Sequence, residues 1–347
     1  MRTPRRVFIK QLATSLGAAF ILRGAAQAQE TPRPSRDSKL MGEAKFVDVE
    51  GVRTRYFEGG QGEALVLVHG GQWPATASAD GWGPIFDHLA ARFRVYAFDK
   101  LGMGFTDNPK RDADYSMDAI IQHAYGFIRA VGIRRAVLVG HSRGALPVAR
   151  IAVDQPELVS HLVILDSNTL APDVSNTPER TDPPPDQKPP TREEIRRAHM
   201  ASRQSVQKDF LTDAYIEAEY QIGLLPKIRE VDHKFRELRD RWVRNNPEKM
   251  RENPKLGSNM GATTWWMVKA KDETLALIRA GRLKAPTIII WGFNDPTAPY
   301  ALGVNLMETI SKVVDRAELH VINRSGHFIA AEHPEEVTRL IVGFVNG

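Results

Sequence analysis

The chain contains no cysteine among its 347 residues. That excludes disulfide stapling and a lipoprotein anchor. Long apolar runs are scarce too. Residues 12–22 come nearest, and that stretch is too short to cross a bilayer as a stable helix. No second stretch suggests a transmembrane helix, and no internal repeat is visible. An excess of charge is missing as well, despite a formal net charge of +5. Residues 1–28 carry Arg2, Arg5, Arg6, Lys10 and Arg23 and no acid. The rest of the chain is close to neutral, so its composition gives no reason to expect nucleic-acid or anionic-membrane binding. No metal and no cofactor is implied.

What is present begins with an address. Arg5-Arg6-Val7-Phe8-Ile9-Lys10 precedes the apolar stretch, and Ala26-Gln27-Ala28 supplies small residues for cleavage. Residues 1–28 resemble a twin-arginine (Tat) export signal. This implies the Tat machinery as partner of the precursor and a periplasmic or secreted mature protein. Residues 29–43 are expected to be a flexible N-terminal segment. The length beyond them suits one large α/β domain with an insertion, or two small domains.

From residue 44 to 166, short apolar runs alternate with helical patterns. That is the pattern of a parallel sheet with crossover helices. Residues 46–49 and 54–57 predict a hairpin around Glu50-Gly51. Strands are predicted at 64–68, 94–98, 136–139 and 162–165, and helices at 82–91 and 117–131. After a break, residues 285–347 predict two more strands, 287–291 and 317–322, and a closing helix over 335–345. Continuous rather than alternating apolarity marks strands buried on both faces. Residues 167–284 break the pattern. Seven prolines fall between Pro172 and Pro190, so this stretch is a link rather than a packed element. Helical patterns come after it. Thr191-x-x-Glu194 is a capping box opening a helix through Gln207, and residues 212–220, 227–244 and 263–280 are also helical in pattern. This block is expected to form a helical cap over the sheet's C-terminal edge, with a separate helical domain as the alternative.

The chemistry starts at Leu138-Val139-Gly140-His141-Ser142-Arg143-Gly144. A G-x-S-x-G pentapeptide between a strand and a helix is the context of a nucleophile elbow, although an ordinary turn with a capping serine has the same letters. A serine hydroxyl needs a base, and the base an orienting acid. The candidate base is His327, after the last strand. The candidate acid is Asp295, after strand 287–291, with Asp166 as its competitor after strand 162–165. The oxyanion hole needs two backbone N–H groups. Arg143, next to the nucleophile, is expected to supply one, and Gly71 in His69-Gly70-Gly71 the other, with Gln72 a neighbouring possibility. The Arg143 side chain is expected to be solvated.

In this order, His69-Gly70-Gly71, Asp99-x-x-Gly102-x-Gly104, Gly140-x-Ser142-x-Gly144, Gly292-x-x-Asp295 and Gly326-His327 resemble the α/β-hydrolase superfamily over residues 45–347. The resemblance implies that fold, with a mostly parallel eight-stranded sheet flanked by helices, and a serine hydrolase acting on a small-molecule substrate. The Asp99 loop is taken as structural. A serine at the elbow argues against the dehalogenase and epoxide-hydrolase branches, which place aspartate there.

Trp291-Gly292-x-x-Asp295, Leu319-His320-Val321, Gly326-His327, Glu332-His333, Pro190-Thr191-Arg192-Glu193-Glu194 and Leu211-Thr212-Asp213 are further similar to meta-cleavage-product hydrolases. Those enzymes cut carbon–carbon bonds in vinylogous diketones. Three positions depart from their pattern. Glu219, followed by Tyr220, stands where they carry an anion-gripping arginine. Phe328 stands where they have tryptophan. Gly70-Gly71-Gln72-Trp73 is poorer in glycine than their oxyanion loop. A glutamate facing an anion is unfavourable in a low-dielectric pocket. Together with export, this favours a carboxylic ester or lactone of a small to medium hydrophobic substrate. A carbon–carbon hydrolase is the alternative, and a non-catalytic binding protein comes third. Gln72, Trp73, Glu219, Trp265, Trp266 and Phe328, with Trp82, are the expected pocket residues.

Overall fold

Short runs such as Ala64-Leu65-Val66-Leu67-Val68 are too short to bury themselves as helices, and their aliphatic residues fit a pleated surface. They become strands. The computed structural model describes Ser38, residues 41–175 and residues 188–347. The expected export signal and most of the proline-rich link lie outside the described residues. The first half of the core runs β1 (Lys45–Val49), β2 (Val52–Gly59), β3 (Ala64–Val68), α1 (Gly83–Ala90), β4 (Arg94–Phe98), α2 (Met117–Ala130), β5 (Ala136–His141), α3 (Ala145–Asp154) and β6 (Val159–Leu165). The cap segment holds α4 (Arg192–Ala201), α5 (Asp213–Gly223), α6 (Pro226–Asn245), α7 (Pro247–Glu252) and α8 (Val268–Arg279). The chain then returns to the core through β7 (Thr287–Gly292), α9 (Ala301–Ile310), β8 (Ala317–Ile322), α10 (Ile329–Glu332) and α11 (Pro334–Asn346).

The strands form one eight-stranded sheet in the order β1-β2-β4-β3-β5-β6-β7-β8. The β1–β2 and β2–β4 pairs are antiparallel and every other pair is parallel. Both faces are covered. Along β3, Val66 and Val68 point into one apolar cluster with α2, α3, α8 and α9, while Leu65 and Leu67 point into another with α1 and α11. This two-sided burial explains why the strand sequences are apolar throughout rather than alternating.

The helix predicted over 212–220 runs on to Gly223, and two other cap helices differ more from their predicted spans. The helix opened by the Thr191–Glu194 capping box stops at Ala201 instead of Gln207. Beyond it, the amides of Val206 and Gln207 donate to the Glu332 carboxylate at 2.7 and 3.0 Å, which ties the chain to the core instead of to a helix. The helix predicted from residue 263 starts at Val268. Its intended first turn is spent on tertiary bonds: the Trp265 amide donates to the Leu256 carbonyl, and the Trp266 carbonyl accepts from Met117. The cap also meets the core where Lys227 Nζ donates to the Gly104 carbonyl at 3.1 Å and Asn108 donates to the Lys227 carbonyl at 2.9 Å.

Candidate active site

Ser142 comes directly after β5 and has φ 51°, a left-handed conformation that is strained for a residue with a Cβ. Its surroundings hold it there. Ser167 Oγ donates to the Ser142 carbonyl at 2.7 Å. A Cβ on Gly144 would lie 2.1 Å from the Val68 carbonyl oxygen, so only glycine lets the elbow pass so close to β3.

His327 sits in the loop after β8. Its backbone amide donates to the Gln204 carbonyl at 2.5 Å, and its carbonyl accepts from His141 Nε2 at 2.7 Å. Burial, chiefly, pushes His141 down to about 3, so this partner is a neutral donor. Asp295 sits in the loop after β7. Its Oδ1 accepts the amides of Thr297 and Ala298 at 2.6 and 3.0 Å, and its Oδ2 accepts from His327 Nδ1 at 2.6 Å. With Nδ1 donating, the tautomer leaves Nε2 as an acceptor, 3.1 Å from Ser142 Oγ. The three side chains are all buried. The arrangement can take the serine proton and stabilise the imidazolium that results.

The competitor, Asp166, does not reach His327. Its Oδ1 accepts the Gly292 amide at 2.7 Å, and its Oδ2 is buried with no hydrogen-bond partner among the described residues. Burial first, and the neighbouring Asp295 charge second, push this carboxyl well above the usual range.

Gly71 has φ 71°, and its carbonyl accepts from Lys100 Nζ at 2.8 Å. The preceding carbonyl, of Gly70, accepts from His69 Nδ1 at 2.7 Å, and His69 Nε2 accepts the Lys100 amide at 3.2 Å. Asp99 lies beneath this loop. It binds Arg55 Nε at 2.7 Å and accepts the amides of Ala79 and Phe105, each at 2.8 Å. Its contacts are thus structural. The Arg143 side chain is buried, contrary to the expectation of a solvated one. Its guanidinium donates to the Met260 and Gly261 carbonyls at 2.8 and 2.9 Å and lies 5.6 Å from the Trp266 ring centre. The Gln72 amide nitrogen donates to the Asn259 carbonyl. The two residues adjoining Gly71 and Ser142 therefore grip the same cap loop.

A cavity of about 320 Å³ opens above Ser142. Of the expected pocket residues, Gln72, Glu219, Phe328 and Trp82 line it, and Trp73, Trp265 and Trp266 do not. Those three tryptophans pack around Phe235 with ring centres 5.2–5.7 Å away. They form a hydrophobic anchor for the cap, and the Trp73 indole is fixed by the Leu101 carbonyl at 2.9 Å. Thr76, His199, Gln204, Tyr215 and Met260 also line the cavity and are not foreseeable from the sequence. No motif marks them, because they meet only when α4 and α5 pack over the sheet. Among the described residues, no group of three or more histidine or acidic side chains is placed to hold a metal ion.

The chain is similar to two curated bacterial hydrolases over most of its length. It is 29% identical to 2-hydroxymuconate semialdehyde hydrolase of Pseudomonas sp. strain CF600, over 85% of this chain and 91% of the relative. It is 26% identical to 2-hydroxy-6-oxo-6-(2'-aminophenyl)hexa-2,4-dienoic acid hydrolase of Metapseudomonas resinovorans, over 87% and 90%. The solved structure of a serine hydrolase involved in carbazole degradation superposes with a TM-score of 0.64 at 25% identity, covering 87% of this chain and 98% of that one. A family model described as alpha/beta hydrolase fold matches residues 63–334, and the eight-stranded, mostly parallel sheet agrees with it: the chain belongs to the α/β-hydrolase fold family.

Proposed function

We propose that the protein is a serine hydrolase that cleaves the carbon–carbon bond beside a ketone in a small diketone-like substrate. The observation that carries this reading is the hydrogen-bonded chain Ser142–His327–Asp295 at the floor of the cavity. The named relatives support the choice of bond: the compounds in their names, a 2-hydroxymuconate semialdehyde and a 2-hydroxy-6-oxo-hexa-2,4-dienoic acid, contain no ester or lactone to hydrolyse.

In this mechanism Ser142 Oγ attacks the ketone carbon while His327 Nε2 takes the hydroxyl proton. Asp295 stabilises the imidazolium. The amides of Gly71 and Arg143 receive the negative charge that develops on the carbonyl oxygen. Collapse expels the carbon fragment as an enolate stabilised by its second carbonyl, and His327 returns the proton to it. Water, deprotonated in turn by His327, then releases the acid from Ser142. The balance is one water consumed, with hydroxyl going to the acyl fragment and hydrogen to the carbon fragment.

A second reading keeps the same steps with an alkoxide as leaving group, giving ester or lactone hydrolysis. Glu219 in the cavity wall favours it, because the dienoic acids named for one relative carry a carboxylate. Purified enzyme assayed on a vinylogous 1,5-diketone and on a carboxylic ester of equal size separates the two. Higher kcat/KM on the diketone is expected, and ester turnover without any diketone cleavage would overturn the first reading in favour of the second. With residues 1–28 acting as a twin-arginine signal, either activity belongs to the periplasm or the cell exterior.

A further inference from the structure

The cavity has a second polar cluster, separate from Ser142, His327 and Asp295. It is built by three elements: the loop after the oxyanion turn gives Thr76, α4 gives His199 and α5 gives Glu219. Thr76 Oγ1 donates to Glu219 Oε1 at 2.8 Å, and His199 Nε2 lies 2.7 Å from Glu219 Oε2. All three line the cavity. The two helices are fastened to each other. Arg192 binds both carboxylate oxygens of Glu217, Arg196 Nη2 binds Asp213 at 2.6 Å, and His199 packs edge-on to Tyr215 with ring centres 5.9 Å apart. The cluster is thus held in place instead of hanging from a mobile side chain.

Its charge is settled by its partners. Burial pushes the Glu219 carboxyl up, but the hydrogen bond and charge of His199 and the Thr76 hydroxyl outweigh this and hold it below its ordinary value. A carboxylate oxygen accepts two hydrogen bonds. Each Glu219 oxygen has one partner among the described residues, so acceptor capacity remains. Arg143 also lines the cavity, where its guanidinium donates to the Met260 and Gly261 carbonyls.

We infer that Thr76, His199 and Glu219 form a subsite for the end of the substrate remote from the reacting carbonyl, and that it takes a hydroxyl- or amino-bearing end and rejects a carboxylate. This rests on the reading of Ser142 as nucleophile in the same cavity. It makes Glu219 a specificity-determining residue. A hydroxyl or amine donates into the open acceptor positions, whereas a second carboxylate has no proton to donate and finds the Thr76 and His199 donors already committed to Glu219.

The test uses 4-nitrophenyl 3-phenylpropanoates whose para position carries hydrogen, hydroxymethyl or carboxylate, with 4-nitrophenyl acetate as a probe too short for the subsite. In the wild type, kcat/KM for the carboxylate ester is expected to be at least a hundredfold below that for the hydroxymethyl ester. In Glu219→Gln the gap is expected to shrink to less than tenfold, mostly through KM. Equal turnover of the two esters by the wild type overturns the subsite without any variant, as does an unchanged gap in Glu219→Gln. Failure of the underlying reading looks different: 4-nitrophenyl acetate would then not be turned over, or its turnover would survive Ser142→Ala.

Discussion

At the scale of single residues, Asp166 and Asp295 show how environment separates two identical carboxyl groups. They end neighbouring strands, and by sequence either could be the acid. Asp295 meets two amides and His327, while Asp166 meets one amide and has a buried oxygen without a partner among the described residues. Burial and the neighbouring Asp295 charge thus favour the neutral acid form of Asp166 in the folded protein. Its folded pKa is raised, so its stabilising contribution is complete below the ordinary aspartate range and is lost as pH rises from there toward the folded value. Asparagine in its place has no proton to lose. The Asp166→Asn protein is thus expected to gain thermal stability relative to the wild type as pH is raised from 4 to 8, with kcat/KM within about threefold. Asp295→Asn should instead lower kcat by about 10⁴-fold, the scale of removing a triad carboxylate. Melting curves across pH and steady-state kinetics on both variants check this; a large activity loss in Asp166→Asn alone would reverse the assignment.

At the scale of elements, the elbow depends on β5 and α3 fitting against β3. Gly144 is the tightest point. Gly144→Ala is expected to destabilise the fold by about 3 kcal/mol through overpacking against backbone that cannot yield. Denaturant unfolding measures it, and a loss below about 1 kcal/mol would show that the elbow has slack. The core strands and the candidate triad are legible in sequence, because each rests on local signals: an apolar run, a glycine-flanked serine, and a polar residue just past a strand. The cap is less legible. Trp73, Trp265 and Trp266 look like pocket residues in sequence but form its anchor, and Arg143 looks solvated but clamps residues 260 and 261. Burial of these side chains is decided by helix packing across long sequence separations, which local pattern does not record.

At the scale of the whole molecule, sheet, cap and loops converge on one cavity above Ser142, and the chain outside residues 1–28 is close to neutral. The proposed export signal, residues 1–28, predicts a mature N-terminus at Gln29. Mass spectrometry of protein recovered from the periplasm measures this, and an intact residue 1–28 segment on that protein would contradict it. Everything chemical rests on Ser142 being the nucleophile. The most direct measurement is intact-protein and peptide mass spectrometry after exposure to a fluorophosphonate. One phosphonyl adduct per chain is expected, located on Ser142, slowed strongly in His327→Ala and absent in Ser142→Ala. No adduct on correctly folded protein, or an adduct on another residue with ester turnover retained in Ser142→Ala, would contradict the assignment.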